Sequence, residues 1–227
     1  MWGDIAIAFL LAFITAYVIT PYTIRLARKV GAVDVPDKRR VNKEAMPRLG
    51  GIAVISGFLV SVIYLIISMT LEKKIDFMQD DLYIKLAGFF AGIIVLGVIC
   101  FIDDAKNIKP LVKLTGQVIA AVLVASSGIL IDNFSIPFAE NGVVLNEVFS
   151  FILTVGWIVG VTNAINLIDG LDGLSSGITL ISCISLLIIF SLNESPLIAI
   201  ILITALAGSI VGFLPYNFNP AKTFIGD

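Results

Sequence analysis

Long apolar runs separated by short polar segments fill the chain from one end to the other. Seven of them, at about 5–24, 52–71, 84–102, 114–131, 147–165, 174–192 and 196–214, reach or approach a membrane-spanning length. A helix needs roughly 20 apolar residues to cross about 30 Å of hydrocarbon. Apart from Lys85 and Glu147, both at run edges, these stretches contain no charged residue. Helices satisfy their own backbone polar groups, as lipid requires. The pattern therefore predicts an all-α polytopic membrane protein with about seven transmembrane helices. One polar segment reads differently: near 133–145, Asn141-Gly142 lies between two apolar arms and predicts a short β-hairpin. No internal repeat or low-complexity tract interrupts the chain, so residues 1–227 read as a single membrane-embedded domain.

Composition agrees with the pattern. Of the 227 residues 58% are hydrophobic and 14% charged, with a mean hydropathy of +1.03. Soluble domains run to about 45–50% apolar and about 25% charged. One globular core could not hide this much apolar surface. Charge then orients the helices. The segment 25–51 holds eight of the 15 basic residues: Arg25, Arg28, Lys29, Lys38, Arg39, Arg40, Lys43 and Arg48. Segment 103–113 adds Lys106, Lys109 and Lys113, whereas 132–146 and 193–195 have none. Basic residues favour the cytoplasmic side, which puts the N-terminus and the hairpin outside. The segment 72–83, with Lys73 and Lys74 among four acids, is a mild exception.

The chemistry-bearing residues gather at the cytoplasmic ends of the odd-numbered spans. Asp34, Asp37, Arg39 and Arg40 follow the first, and Asp103-Asp104 follow the third. Asn163, Asn166, Asp169 and Asp172 follow the fifth, and Asp227 follows the seventh. Acids at a helix C-terminus oppose the macrodipole by roughly 0.3–1 kcal/mol each, so the pair at 103–104 points to a nearby cation. In the run from Asn163 to Gly173 the polar residues recur every three positions. Such residues drift around a regular helix, so convergence requires unwinding, for which Gly170 and Gly173 are suited. Carboxylates and amides of this kind suit Mg²⁺, which takes one or two carboxylates and leaves the rest of its shell to substrate phosphates. Nearby lysines and arginines would neutralise further phosphate charge; topology and lipid headgroups account equally for some of them. Gly50-Gly51 permits either a close backbone approach or a plain helix start.

Histidine is absent, which removes the commonest acid–base group and metal ligand. Cys100 and Cys183 stand alone inside apolar runs and suggest neither a disulfide nor a thiolate site. No nucleic-acid partner is expected.

Four segments together resemble a known family. VDVPDKRRVNKEAMPRLGGIAV (33–54), FIDDAKNIKPLVKLTGQ (101–117), NAINLIDGLDGLSSG (163–177) and FLPYNFNPAKTFIGD (213–227) are similar to motifs of the polyprenyl-phosphate N-acetylhexosamine-1-phosphate transferases, glycosyltransferase family 4. The Pro-Arg-Leu-Gly-Gly form resembles the teichoic-acid and enterobacterial-antigen branch more than the phospho-MurNAc-pentapeptide branch. The resemblance implies transfer of a sugar 1-phosphate, GlcNAc-1-phosphate by preference, from a UDP-N-acetylhexosamine to undecaprenyl phosphate, with release of UMP. It implies a bacterial cytoplasmic membrane, an active site facing the cytoplasm, and Mg²⁺ (or Mn²⁺) as cofactor. Relatives in the wider superfamily are often dimers, so a homodimer is compatible.

By motif position, Asp227 resembles the metal ligand, and Asp103, with Asp104 beside it, the residue proposed to orient or deprotonate the lipid phosphate. Asp169 and Asp172 match positions linked to metal and nucleotide, as does Asn166, with Asn163 beside them. Lys113 matches a lysine near phosphates, and Asp37, Arg39, Arg40 and Asn42 fall in the first motif as substrate-binding candidates. Two departures follow. The family usually has histidine where this chain has Asn42, which removes any proton role there. It also continues past the equivalent of Asp227 with further helices and a histidine-rich loop. The 227-residue chain is therefore expected to be a C-terminally truncated form with little transferase activity alone. The competing readings are an inactive membrane scaffold and a small lipid or solute transporter. Charge-free span interiors weigh against a transporter, which buries ionisable groups near the midplane.

Overall fold

The computed structural model describes residues 2–36, 45–72, 81–134, 143–193 and 195–227. Seven helices appear among them: α1 (Trp2–Val30), α2 (Gly50–Leu71), α3 (Leu82–Lys106), α4 (Pro110–Ser126), α5 (Glu147–Ile168), α6 (Leu174–Leu192) and α7 (Leu197–Asn217). Two antiparallel ribbons accompany them, β1 (Val33–Asp34) with β2 (Met46–Pro47) and β3 (Asn133–Phe134) with β4 (Val143–Val144). All helices but α4 are long and apolar enough to cross a membrane. The chain is an all-α, multi-pass membrane protein.

Three boundaries differ from the hydropathy reading. α4 has 17 residues, about 25 Å of helix, and runs from Pro110 rather than over 114–131. Pro110 sits at the first helical position, which needs no N–H, and Gly128, at φ +88°, ends the run in a left-handed turn although apolar residues continue beyond it. α1 extends to Val30, carrying its basic end as helix. α3 extends to Lys106, so Asp103 and Asp104 lie in its last turn rather than after it. The expected hairpin is present as β3–β4, with Asn133 opposite Val144; its Asn141-Gly142 turn lies outside the described residues.

The chain forms two compact units. The first comprises Met1–Ile75, Asp104–Lys106 and Asn166–Asp227. Here α1 packs on α2 and α7, and α6 packs on α7. Small residues let the backbones close in, as membrane helix pairs favour. Ala8, Ala12 and Ala16 are fully buried on α1. A Cβ on Gly208 would stand 3.0 Å from Phe9 Cα, and one on Gly57 2.6 Å from the Ala12 carbonyl. Ser61 Oγ donates across the α1–α2 contact to the Ala8 carbonyl at 2.8 Å.

The second unit comprises Asp76–Asp103 and Asn107–Ile165. α3 and α4 run antiparallel through the same kind of contact: Gly88 faces Ser127, Gly92 faces Ala120 and Val124, and Ile99 faces Gly116. The chain entering the β3–β4 ribbon is pinned to α5, where Ser150 Oγ donates to the Ile131 carbonyl at 2.9 Å and Ile131 N–H donates to Thr154 Oγ1 at 2.9 Å.

Candidate active site

The first unit builds its polar centre by folding the chain's last ten residues back onto the start of α2. Phe224 N–H and Thr223 Oγ1 both donate to the Pro47 carbonyl, at 2.8 and 2.9 Å. Gly50 and Gly51 N–H in turn donate to the Phe224 and Ile225 carbonyls, at 3.1 and 2.6 Å. The orphan donors at the α2 N-terminus are thus satisfied by main chain, with no side-chain cap. The two glycines make a close approach, because a Cβ on Gly50 would stand 2.6 Å from the Phe224 carbonyl and clash with the edge of the Phe213 ring. Ile225 packs on the cluster of Val54, Ile210 and Phe213. Buried Asn217 braces the loop: its Nδ2 donates to the Thr223 carbonyl at 3.0 Å, and its Oδ1 accepts from Ser176 Oγ at 2.7 Å.

This docking delivers Asp227 to Arg48. One guanidinium contacts three carboxylates: Nε donates to Asp104 Oδ1 at 2.7 Å, Nη2 to Asp227 Oδ2 at 3.2 Å, and Nη1 lies 3.8 Å from Asp34 Oδ1. The β1–β2 ribbon places Asp34, and Arg48 N–H continues it by donating to the Ala32 carbonyl at 3.1 Å. Asp104 is buried, and besides Arg48 it receives Asp227 N–H at 3.2 Å on Oδ2. Gly226 must be glycine here: its φ is +81°, and a Cβ would meet the Arg48 carbonyl and lie 2.6 Å from Asp104 Oδ2.

The run from Asn163 does leave the helix, at Asp169, and α6 restarts behind Gly173 in the left-handed region. Its polar residues divide: Asn166 and Asp169 reach Gly226–Asp227, while Asn163 and Asp172 bond elsewhere. Asn166 Nδ2 donates to Asp227 Oδ1. Asp169 Oδ1 accepts from Ser175 Oγ. Burial pushes the Asp169 carboxyl above its ordinary pKa, against the Ser175 hydrogen bond, and the nearby Asp227 charge adds to the rise. Asp172 braces a loop, its Oδ2 accepting from Asn219 Nδ2 at 2.9 Å and from Ala221 N–H at 3.0 Å.

Asp103, Lys113 and Asn163 belong to the second unit. Lys113 Nζ lies 3.2 Å from Asp103 Oδ2, and Ile108 N–H donates to Asp103 Oδ1 at 3.0 Å. Asn107, at φ 48°, turns the chain between α3 and α4 so that this pair can form. Asn163 Nδ2 donates to Gln117 Oε1 at 2.7 Å and to the Val159 carbonyl at 2.8 Å. Gln117 is buried, and its Nε2 has no partner among the described residues.

Asp37, Arg39, Arg40 and Asn42 lie outside the described residues. Sequence reasoning counted Arg48 only as a topology charge and passed over Gln117. The signal for Arg48 was its place in Pro47-Arg48-Leu49-Gly50-Gly51, where chain geometry is already special.

The donor set suits a hard divalent cation sharing its shell with phosphate. Asp227 and Asp104 supply carboxylate oxygens around one guanidinium, with the Asn166 amide beside them. Among the described residues no group of three or more His, Cys, Asp or Glu side chains could hold an ion on its own. An ion at this centre would need the rest of its shell from elsewhere, as Mg²⁺ commonly takes it from phosphates and water.

Residues 86–227 match the glycosyl transferase family 4 model. Over 227 residues the chain is 40% identical to a probable undecaprenyl-phosphate N-acetylglucosaminyl 1-phosphate transferase of Bacillus subtilis, covering 98% of this chain and 58% of that protein. It is 33% identical to a decaprenyl-phosphate N-acetylglucosaminephosphotransferase of Mycobacterium leprae, covering 99% of this chain and 57% of the relative. With a phospho-N-acetylmuramoyl-pentapeptide-transferase of Staphylococcus epidermidis it shares 32% identity, over 97% of this chain and 69% of that protein. The chain thus spans a little over half the length of the first two relatives.

Proposed function

The chain belongs to glycosyl transferase family 4, and from that membership we propose that it forms part of a transferase acting on two phosphorylated substrates at the cytoplasmic face of a bacterial membrane. The donor is a UDP-N-acetylhexosamine, UDP-GlcNAc by preference, and the acceptor is undecaprenyl phosphate. An acceptor phosphate oxygen forms a bond to the donor's β-phosphorus. The bond from that phosphorus to the bridging oxygen breaks, and its electron pair leaves on UMP. The lipid-diphosphate sugar stays in the bilayer.

One observation carries this reading. Arg48, Asp104, Asn166 and Asp227 come from the four separate motif segments, and they meet in a single hydrogen-bonded centre. Phosphoryl transfer asks a protein mainly for positioning and charge neutralisation, and such a centre supplies both. Asp227, with Asp104 beside it, would hold Mg²⁺. That ion would neutralise the diphosphate and stabilise charge on the departing UMP. Asp103, held by Lys113 and the Ile108 N–H, would orient the acceptor phosphate, with the lysine offering it charge.

The test is release of UMP from UDP-GlcNAc by membranes containing the chain, with undecaprenyl phosphate and Mg²⁺. It would be run beside a chimera carrying the remaining C-terminal portion of the Bacillus subtilis relative. Activity in the chimera that Asp227→Asn abolishes is the expected result. No UMP from either form with any UDP-sugar would reduce the chain to a membrane scaffold.

A further inference from the structure

Arg48 meets the acidic centre in an unusual way. Arginine commonly closes a two-bond fork on one carboxylate. Here its three nitrogens go to Asp104, Asp227 and Asp34, which come from α3, the final turn of the chain and β1. The side chain is only 18% exposed, and those of Asp104, Asp34 and Asp227 are 5%, 13% and 19% exposed. Three carboxylates that poorly solvated repel one another unless a cation lies between them. The guanidinium is such a cation, in contact with all three, and it is part of the chain.

We propose that Arg48 is a built-in counter-cation: it keeps Asp34, Asp104 and Asp227 assembled before a divalent cation arrives, and it limits how tightly that cation binds. The second half of this statement rests on the metal site proposed above. Arg48 is a positioning residue in this account, since it acts through Asp104 and Asp227. The compromise has a physical logic. Without the guanidinium, the like charges of the three carboxylates would attract a divalent cation more strongly, or push the centre apart in its absence. With one positive charge already in place, the centre is formed without metal, and firm binding waits for the donor's phosphates.

The experiment uses the 227-residue chain in lipid nanodiscs as wild type, Arg48→Gln, Arg48→Lys and the double variant Arg48→Gln/Asp34→Asn. Two quantities are read: thermal unfolding in EDTA against millimolar Mn²⁺, and Mn²⁺ affinity by electron paramagnetic resonance. In EDTA, Arg48→Gln melts below wild type. Mn²⁺ restores most of the loss and binds about tenfold more tightly, because a repelling charge has gone. Arg48→Lys falls between the two, keeping the charge but losing the fork. Removing one repelling carboxylate at Asp34 recovers part of the metal-free loss. A residue that merely packed would produce none of this metal dependence.

Equal stabilisation of wild type and Arg48→Gln by Mn²⁺, or weaker Mn²⁺ binding by the variant, would overturn the proposal while leaving the metal site standing. Failure of the wild type to bind Mn²⁺ even with UDP-GlcNAc present would overturn both. If Arg48→Gln does not fold, Arg48→Lys decides: a Mn²⁺ stabilisation no larger than the wild type's counts against the proposal.

Discussion

Asp103 and Asp104 are joined by a peptide bond, yet their side chains serve polar centres of different construction. Asp104, in the first unit, bonds Arg48 and the Asp227 N–H, residues 56 and 123 positions away in the chain. Asp103, in the second, bonds Lys113 and the Ile108 N–H, ten and five positions on. The first centre is a tertiary product that exists only once α2, α3, α5 and the chain's last residues have come together. The second is nearly local, set by the left-handed turn at Asn107 and the start of α4. Packing does not divide the same way: 56% of α7's apolar stretch and 44% of α2's are buried, but only 22% of α1's and 17% of α6's, beside 22% of α3's. The first centre rests on the two most buried helices, α2 and α7, which its chain segments adjoin.

The largest test of this contrast is activity. In the chimera, Asp227→Asn is expected to lower UMP release by about a thousandfold, since it removes a carboxylate proposed to carry the metal. A loss below tenfold would detach the first centre from the chemistry. Stability comes next. Asp104→Asn removes the carboxylate that holds Arg48 Nε while Asp227 and Asp34 stay on the same guanidinium, and should cost about 2–3 kcal/mol in denaturant unfolding. Asp103→Asn leaves a carbonyl to accept from Ile108 and should cost about 1–2 kcal/mol. Equal losses would erase the distinction between the centres.

Glycine sharpens the comparison at smaller scale. Gly226→Ala introduces strain at φ +81° and a clash with the Arg48 carbonyl, for a cost of about 2 kcal/mol or more. Gly160→Ala in α5, where nothing lies within 4 Å of the new methyl, should stabilise by about 0.5–1 kcal/mol. Both are read from unfolding midpoints.

The smallest effect is in pH. Because burial holds the Asp169 carboxyl above its ordinary range, the folded chain binds that proton more readily than the unfolded one. Stability from this group is therefore greatest at acid pH and falls as pH rises through its folded-state pKa. Asp169→Asn, which cannot ionise, should flatten that slope above the ordinary carboxylate range. An unchanged slope would assign it to another group.

Much of the architecture was readable from one dimension. Hydropathy located every helix among the described residues, because a long apolar run satisfies its backbone in lipid as a helix. It misplaced the ends of α4 because Pro110 and Gly128 act through backbone geometry, to which apolar content is blind. The motif segments pointed to Asp104, Asn166 and Asp227, and the structure brings these together. The regular spacing from Asn163 to Asp172 suggested one converging site. Part of it does converge, since Asn166 donates to Asp227 and Asp169 meets the Gly226 N–H beside it, whereas Asn163 serves Gln117 and Asp172 braces Asn219. Spacing along a helix says which face a residue takes, not what stands opposite it. Arg48 escaped notice for the same reason, since a basic residue near a membrane has a sufficient explanation in topology.

The sequence by itself determined that this chain lives in a membrane, where its helices run, and which family motifs it carries. Those properties depend on local composition and order. Only the tertiary structure decided that the residues after α7 fold back on Pro47–Gly51, and that one guanidinium holds three distant carboxylates. Charges interact through space rather than along the chain, and no pattern in one dimension records which of them will meet.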